Sequence, residues 1–143
     1  MTSTCAVQYE QEIPDVLRAL VGVHQTMVQS GFDRELAHLV HIRASQINGC
    51  AHCLKMHAKE ARDGGEANER LDRLVVWRHV SDFTEREKAA MAWTEALTTL
   101  DERTDLGALR VELRKHFSEK DIGLLTAEIA MINMWNRLGV SRH

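Results

Sequence analysis

Proline is almost missing from this sequence, and its scarcity constrains the fold more than any other feature. The 143 residues contain one proline, Pro14, although proline is the residue that most strongly ends or kinks a helix. Apolar residues recur at intervals of three and four along nearly the whole chain, which is typical of amphipathic helices, and no segment sustains the alternation of a strand. The sequence therefore predicts an all-α protein.

Turn and capping residues divide the chain into helices. Asp33, Thr84 and Ser118 are favoured N-cap residues, Thr84 and Glu87 have the spacing of a capping box, and Gly31 suits the left-handed conformation that ends a helix. The predicted helices cover 14–29, 33–48, 50–63, 66–77, 84–100, 105–117 and 118–138. No linker, low-complexity tract or clear repeat separates them, so we expect a single helical domain spanning 1–143.

Three of these helices have recognisable faces. In the 33–48 helix an apolar stripe lies opposite a polar stripe of His38, His41 and Ser45, and we interpret His41 as a surface histidine. In the 84–100 helix the expected buried face ends at Leu100. The 118–138 helix has two apolar rows, which predicts burial on most sides, either in the core or against another subunit.

Composition and charge exclude several classes of function. Charged residues make up 27% of the chain, and 18 Lys and Arg are interspersed with 21 Asp and Glu. Nucleic-acid and membrane-surface binding normally need a basic patch, and no apolar run approaches the roughly 20 residues of a membrane span. Residues 1–10 do not resemble a signal peptide. We therefore expect a cytoplasmic protein with neither nucleic acid nor membrane as a partner.

The chemistry of the sequence is concentrated after Asn48-Gly49. Cys50, Cys53 and His57 follow at spacings of three and four, so in a helix they share one face. Two sulfurs one turn apart can form a disulfide, and the start of a helix favours thiolate over thiol. His57 can take the thiol proton or stabilise the thiolate as imidazolium. These residues indicate a redox-active dithiol beside a base, whereas Cys5 stands apart as an uncommitted thiol.

At these residues the sequence resembles the AhpD-like (alkylhydroperoxidase D) branch of the carboxymuconolactone decarboxylase superfamily. The resemblance extends over about 14–140 and includes the run from Asn48 through His57, the capped helix start at 83–87 and the closing segment 132–137. It implies an all-helical subunit that assembles as a homotrimer or homohexamer, with the cysteine pair near subunit contacts and no cofactor.

The resemblance also implies a peroxidase mechanism. Cys53 would attack a hydroperoxide and become a sulfenic acid, Cys50 would resolve it to a disulfide, and an external dithiol would reduce that bond. His57 and His52 match positions credited with proton relay. In a regular helix, however, His52 points about 160° away from the face of Cys53, so a relay role needs a non-helical turn at 50–52 or a subunit boundary.

One position departs from the family pattern. Members usually carry a glutamate twelve residues before the first cysteine, as the acidic end of the relay, and here that residue is His38. A neutral imidazole cannot stabilise an imidazolium as a carboxylate does. Glu35, one turn earlier, and Glu128, on an apolar row of the last predicted helix, are the candidates to replace it.

Other interpretations of the cysteine pair stay open. His38 supplies a nitrogen, so Cys50, Cys53, His57 and His38 form a candidate Cys₂His₂ set for zinc, in a metal-binding or redox-sensing module. The pair is also compatible with two buried structural thiols. Lactone decarboxylation, the reaction that names the superfamily, is a third alternative, although the members that perform it generally do not depend on a CxxC pair.

Overall fold

The regular structure is helical throughout the part of the chain that the computed structural model describes, residues 3–143. In chain order the α-helices are α1 (Tyr9–Glu12), α2 (Pro14–Gln29), α3 (Arg34–Asn48), α4 (Ala51–Asp63), α5 (Asn68–Arg73), α6 (Glu85–Thr99), α7 (Leu106–Arg114) and α8 (Glu119–Val140), with a 3₁₀ helix at Leu74–His79. The predicted all-α class is confirmed. The predicted domain also includes Met1 and Thr2, which lie outside the described residues.

The helix boundaries follow local capping bonds. The side chain of Asp33 accepts a hydrogen bond from the Leu36 amide at 3.1 Å, and Thr84 and Glu87 form the complete predicted capping box. Gly49, with a φ of 69°, ends α3 in the left-handed conformation that glycine adopts without strain. These caps confirm the predicted starts and the predicted break before Cys50.

Helix α3 lies at the centre of the bundle and packs against α4, α6 and α8. The side of α3 that carries the polar stripe is covered as well as the apolar side, because α8 packs against it. His41 and Ser45 are fully buried there, so the interpretation of His41 as a surface residue is wrong. A helix packed on most sides must bury some polar side chains, and these require partners.

Two predicted elements differ from the structure in the segment before and at the end of α6. The predicted 66–77 helix divides into α5 and the 3₁₀ helix, with a non-helical residue at Val76. The tighter 3₁₀ turn brings side chains at i and i+3 into line, and it buries Leu74 and Trp77 together. Leu100, expected on a buried face, is 67% exposed, because it is the left-handed C-cap where the chain leaves α6.

Helix α2, with the short α1 that the sequence did not predict, lies on the outside of the bundle against α8. Several valines of α2 are exposed, namely Val16, Val21, Val23 and Val28. Helix α8 buries residues of both predicted apolar rows, Leu125, Ile129 and Ile132 from one and Met131 from the other. Of the helices between residues 3 and 143, none combines the length and apolar character that a membrane span requires.

Candidate functional site

The two cysteines lie where α3 ends and α4 begins. Gly49 turns the chain, Cys50 takes the N-cap position of α4, and its Sγ accepts a hydrogen bond from the Cys53 amide at 3.4 Å. Cys50 and Cys53 form a disulfide, with their Cα atoms 5.3 Å apart. The sulfur pair that the CxxC spacing predicted is therefore formed by one turn of chain, without help from distant segments.

The C-terminal half of α8 covers this disulfide. Gly139 passes so close that a Cβ at this position would lie 2.6 Å from Cys50 Sγ and 3.3 Å from Cys53 Sγ. The carbonyl oxygen of Trp135 lies 3.9 Å from Cys53 Sγ. Glycine is required here because any side chain would enter the space that the sulfurs occupy.

A cavity of about 680 Å³ opens beside the disulfide, and Cys53 forms part of its wall. Most of the lining is apolar and comes from α2, α4 and α8, namely Leu17, Val21, Met56, Met131, Ile132, Trp135 and Leu138. His24, His52, His57 and Glu60 supply polar groups. Cys50 does not line the cavity, so a small molecule inside it meets the sulfur of Cys53.

His57 lies one turn after Cys53, is 8% exposed, and pairs with a carboxylate of its own helix. Its Nδ1 donates to Glu60 Oε2 at 3.0 Å. Burial, reinforced by the neighbouring His41, lowers the pKa of His57 to about 4 despite this carboxylate. In the disulfide form the ring is therefore uncharged at neutral pH, which leaves Nε2 able to accept a proton.

Behind His57 lies a second carboxylate–histidine pair, buried between α3 and α8. His41 Nε2 donates to Glu128 Oε2 at 2.7 Å, and Arg34 Nη1 donates to Glu128 Oε1 at 2.9 Å. Burial raises the pKa of Glu128, but the bonds from His41 and Arg34 outweigh it and hold that pKa below the usual range. The rings of His41 and His57 lie 4.7 Å apart between centroids.

Comparison with known proteins places this site in a family. The sequence model of the Carboxymuconolactone decarboxylase family matches residues 14–96. The chain belongs to the carboxymuconolactone decarboxylase family. YdfG, an uncharacterised protein of Bacillus subtilis strain 168, is 31% identical over 135 residues, which cover 94% of this chain and 92% of YdfG.

Solved structures of the AhpD-like branch share the fold. ATU0492 of Agrobacterium tumefaciens, a protein of unknown function proposed to be the antioxidant defence protein AhpD, has 34% identity and a TM-score of 0.90, covering 97% of this chain and 95% of its own. A peroxidase-related protein of Ralstonia eutropha JMP134, described as an alkylhydroperoxidase AhpD core, has 20% identity and a TM-score of 0.78, covering 90% of this chain and 69% of its own. At 20% identity the second likeness concerns the fold alone.

The residues considered for the acidic end of the family's relay lie in different surroundings. His38 is half-buried, with Nδ1 at 3.9 Å from Glu60 Oε2, and burial together with the nearby His41 lowers its pKa. Glu35 borders a separate small recess with His38 and Glu66. Of the two suggested replacements, Glu128 is the one that the structure connects to His57, through His41.

Glu60 was missed by the sequence reasoning, although its position three residues after His57 is a sufficient signal for contact on a helix. His52 is exposed and borders the cavity that Cys53 lines, so the structure brings it to the site's solvent side. Both residues therefore border the same cavity, Glu60 in a half-buried ion pair with His57 and His52 in contact with solvent.

The candidate zinc set of Cys50, Cys53, His57 and His38 does not assemble. Between residues 3 and 143, no group of three or more His, Cys, Asp or Glu side chains is arranged to hold a metal ion. The two sulfurs are bonded to each other, and His57 and His38 both face Glu60. In this form the cysteine pair is a disulfide beside an imidazole.

Proposed function

We propose that this protein is a thiol-dependent peroxidase that reduces hydroperoxides with Cys53 and Cys50 and is regenerated by an external dithiol. The observation that carries the proposal is the disulfide in the wall of an apolar cavity, next to an uncharged buried imidazole. A nucleophilic thiol requires a base to remove its proton and a space in which the electrophile can reach it.

Cys53 is the attacking residue in this proposal, because it lines the cavity whereas Cys50 does not. His57 takes the Cys53 proton, and the thiolate attacks one peroxide oxygen. The O–O bond breaks, leaving Cys53 as a sulfenic acid and releasing an alkoxide that takes the proton back from His57. The Cys50 thiol then attacks the Cys53 sulfur and expels water, and the external dithiol reduces the resulting disulfide while becoming a disulfide itself.

Glu60 orients His57 by accepting from its Nδ1, which leaves Nε2 as the basic nitrogen. His52, exposed at the cavity, exchanges protons with solvent, and His38 adds a second imidazole near Glu60. The apolar lining favours an organic hydroperoxide over hydrogen peroxide. Val16 and Val23, exposed on one face of α2 and outside the cavity lining, are the candidate contact residues of the expected homotrimer or homohexamer. A cytoplasmic location would supply the reduced dithiol.

The test is peroxide consumption by purified protein with dithiothreitol as the donor and cumene hydroperoxide as the substrate. Cys53→Ser should lose turnover. In the absence of dithiothreitol, which would itself reduce a sulfenic acid, Cys50→Ser should consume one hydroperoxide per subunit and accumulate a sulfenic acid on Cys53 that dimedone traps. Cys5→Ser is the matched control, since this exposed thiol lies outside the site, and should behave as the parent does.

Two results would contradict the peroxidase proposal. One is a Cys53→Ser variant as active as the parent. The other is decarboxylation of a carboxylated lactone that survives replacement of both Cys50 and Cys53, which would favour the reaction for which the family is named.

A further inference from the structure

Among the described residues 3–143, the most deeply buried ionisable group is not one that the proposed reaction uses. Glu128 is 0% exposed and His41 is 1% exposed. Removing a carboxylate from water is unfavourable unless opposite charges and hydrogen bonds compensate it. A charged pair retained in the centre of the fold is therefore a candidate for a functional role.

His41 has one ring nitrogen committed and one left over. Nε2 donates to Glu128, whereas Nδ1 is buried and has no hydrogen-bond partner among the described residues. Buried polar atoms without partners are rare and often mark a functional site. The ring that lies nearest to His41 is that of His57, 4.7 Å away between centroids.

The charged and titratable groups around His41 come from four helices. Helix α2 contributes His24 and α3 contributes His38, each with its ring 6.5 Å from that of His41. Helix α4 contributes His57 with its partner Glu60, and α8 contributes Glu128. The imidazoles thus form a connected cluster between two carboxylates, one half-exposed at the cavity and one sealed in the core.

We propose that Glu128, acting through His41, is the buried counter-charge for the proton that Cys53 gives to His57. When His57 becomes an imidazolium, its charge lies beside the His41 ring, which by itself opposes that charge. The carboxylate of Glu128 offsets this repulsion for a proton held on either of the two rings. Arg34 fixes the other carboxylate oxygen and so keeps Glu128 oriented toward His41. Glu128 and His41 are therefore positioning residues, and Cys53 and His57 are the groups that exchange the proton.

This inference rests on the proposed function in one respect, that Cys53 forms a thiolate, and it is tested without any hydroperoxide. The sequence contains three cysteines, so a Cys5→Ser/Cys50→Ser background leaves Cys53 as the sole thiol, with serine as a favourable N-cap at position 50. The rate of alkylation by iodoacetamide, measured from pH 4 to pH 10, gives the pH midpoint of thiolate formation.

Glu128→Gln in this background keeps the size of the side chain and its acceptor for His41 but removes the charge. The neutral thiol–imidazole pair is then favoured over the thiolate–imidazolium pair, so Cys53 becomes a thiolate only at higher pH. We expect the midpoint to rise by about one pH unit, the size of effect for a charge acting across one ring at an effective dielectric of about 20. Glu112→Gln, an exposed carboxylate paired with Lys115, is the matched control and should leave the midpoint unchanged.

Glu128→Asp separates charge from packing. This variant keeps the charge and loses the shape, so a counter-charge role predicts a midpoint nearer to that of the parent than Glu128→Gln gives. A purely structural role predicts the opposite order. A midpoint in Glu128→Gln equal to that of the parent, or the structural order of the two variants, would overturn the inference.

Wild-type protein provides a second measurement that does not depend on the variants folding. With ¹⁵N-labelled histidine, the ring signals of His41 and His57 should both change between the disulfide and dithiol forms at pH 5–9. Signals of His41 that ignore the redox state would overturn the inference. If the parent protein shows no peroxide turnover while Glu128→Gln still raises the midpoint, only the proposed peroxidase function is contradicted.

Discussion

Gly139→Ala is the substitution that tests most directly how α8 is packed on the disulfide. The new Cβ would lie 2.6 Å from Cys50 Sγ and 3.3 Å from Cys53 Sγ, and the first distance is shorter than real Cβ contacts. The backbone of α8 or the sulfur must therefore move. Overpacking of this kind typically destabilises by about 1–3 kcal/mol, whereas alanine is favoured over glycine inside a helix by about 1 kcal/mol.

These two effects combine differently in the two redox forms. In the disulfide form both sulfurs are held, so the overpacking remains and we expect a net loss of about 0–2 kcal/mol in the free energy of unfolding. In the dithiol form the Cys50 side chain can rotate away, so the helix gain is retained. The disulfide form is thus disfavoured by about 1–3 kcal/mol relative to the dithiol, which raises the reduction potential by roughly 20–60 mV for a two-electron couple.

The assay is equilibration of the protein with dithiothreitol buffers of known ratio, followed by alkylation and counting of free thiols, together with urea unfolding of each redox form. Gly123→Ala is the matched control on the same helix, because a Cβ there meets nothing within 4 Å. This control should stabilise both forms and leave the potential unchanged. A Gly139→Ala protein with the same potential as Gly123→Ala would refute the reasoning.

Three further predictions concern pH, capping and the family position. His57 is protonated near pH 6.5 in the unfolded protein and near pH 4 in the folded protein, so the unfolded state binds more protons between these values. The free energy of unfolding should therefore fall by up to about 3 kcal/mol as the pH is lowered through this window. Urea unfolding at pH 4.5 and pH 7 should show a smaller fall for His57→Gln than for the parent, and equal falls would contradict this. Thr84→Ala removes one half of the capping box with Glu87 and should lower the free energy of unfolding in urea by about 1 kcal/mol. Thr84→Ser keeps the capping hydroxyl and is the near-neutral control, and an equal loss in both variants would exclude the cap as the cause. His38→Glu should not raise peroxidase turnover, because the new carboxylate would lie beside Glu60, which His38 faces at 3.9 Å, and two like charges repel. The double variant His38→Glu/Glu60→Gln should recover any turnover that the single variant loses. A large gain in the single variant would contradict the argument.

The parts of the fold that could be predicted from the sequence are those determined by neighbours in the chain. The caps at Asp33, Thr84 and Ser118 each depend on a side chain meeting an amide three residues later. The kink at Val76 could not be predicted in this way, because it follows from the joint burial of Leu74 and Trp77 against the rest of the bundle. Tertiary packing decides such short segments over local propensity.

The same division applies to the candidate site. The disulfide pair and His57 lie within about two turns at the start of α4, so their spacing alone predicts that they meet. The pairing of His41 with Glu128 spans 87 residues, and it exists because α3 and α8 pack together. The requirement for glycine at position 139 arises in the same way, from an approach of two helices that no local pattern records.

The packing of the helices explains how the site can work with His38 in place of the family's usual glutamate. A relay of the family's kind needs a negative charge near the imidazole, and the helices around His57 offer more than one place from which it can come. Here Glu60 supplies it from α4, within hydrogen-bond distance but partly exposed and therefore weakened by solvent, and Glu128 supplies it from α8 in full burial, where screening is small. In the proposed mechanism Glu60 determines which nitrogen of His57 is basic, and Glu128 determines how readily the ring accepts a positive charge. The relay therefore keeps an acidic end although position 38 is a histidine.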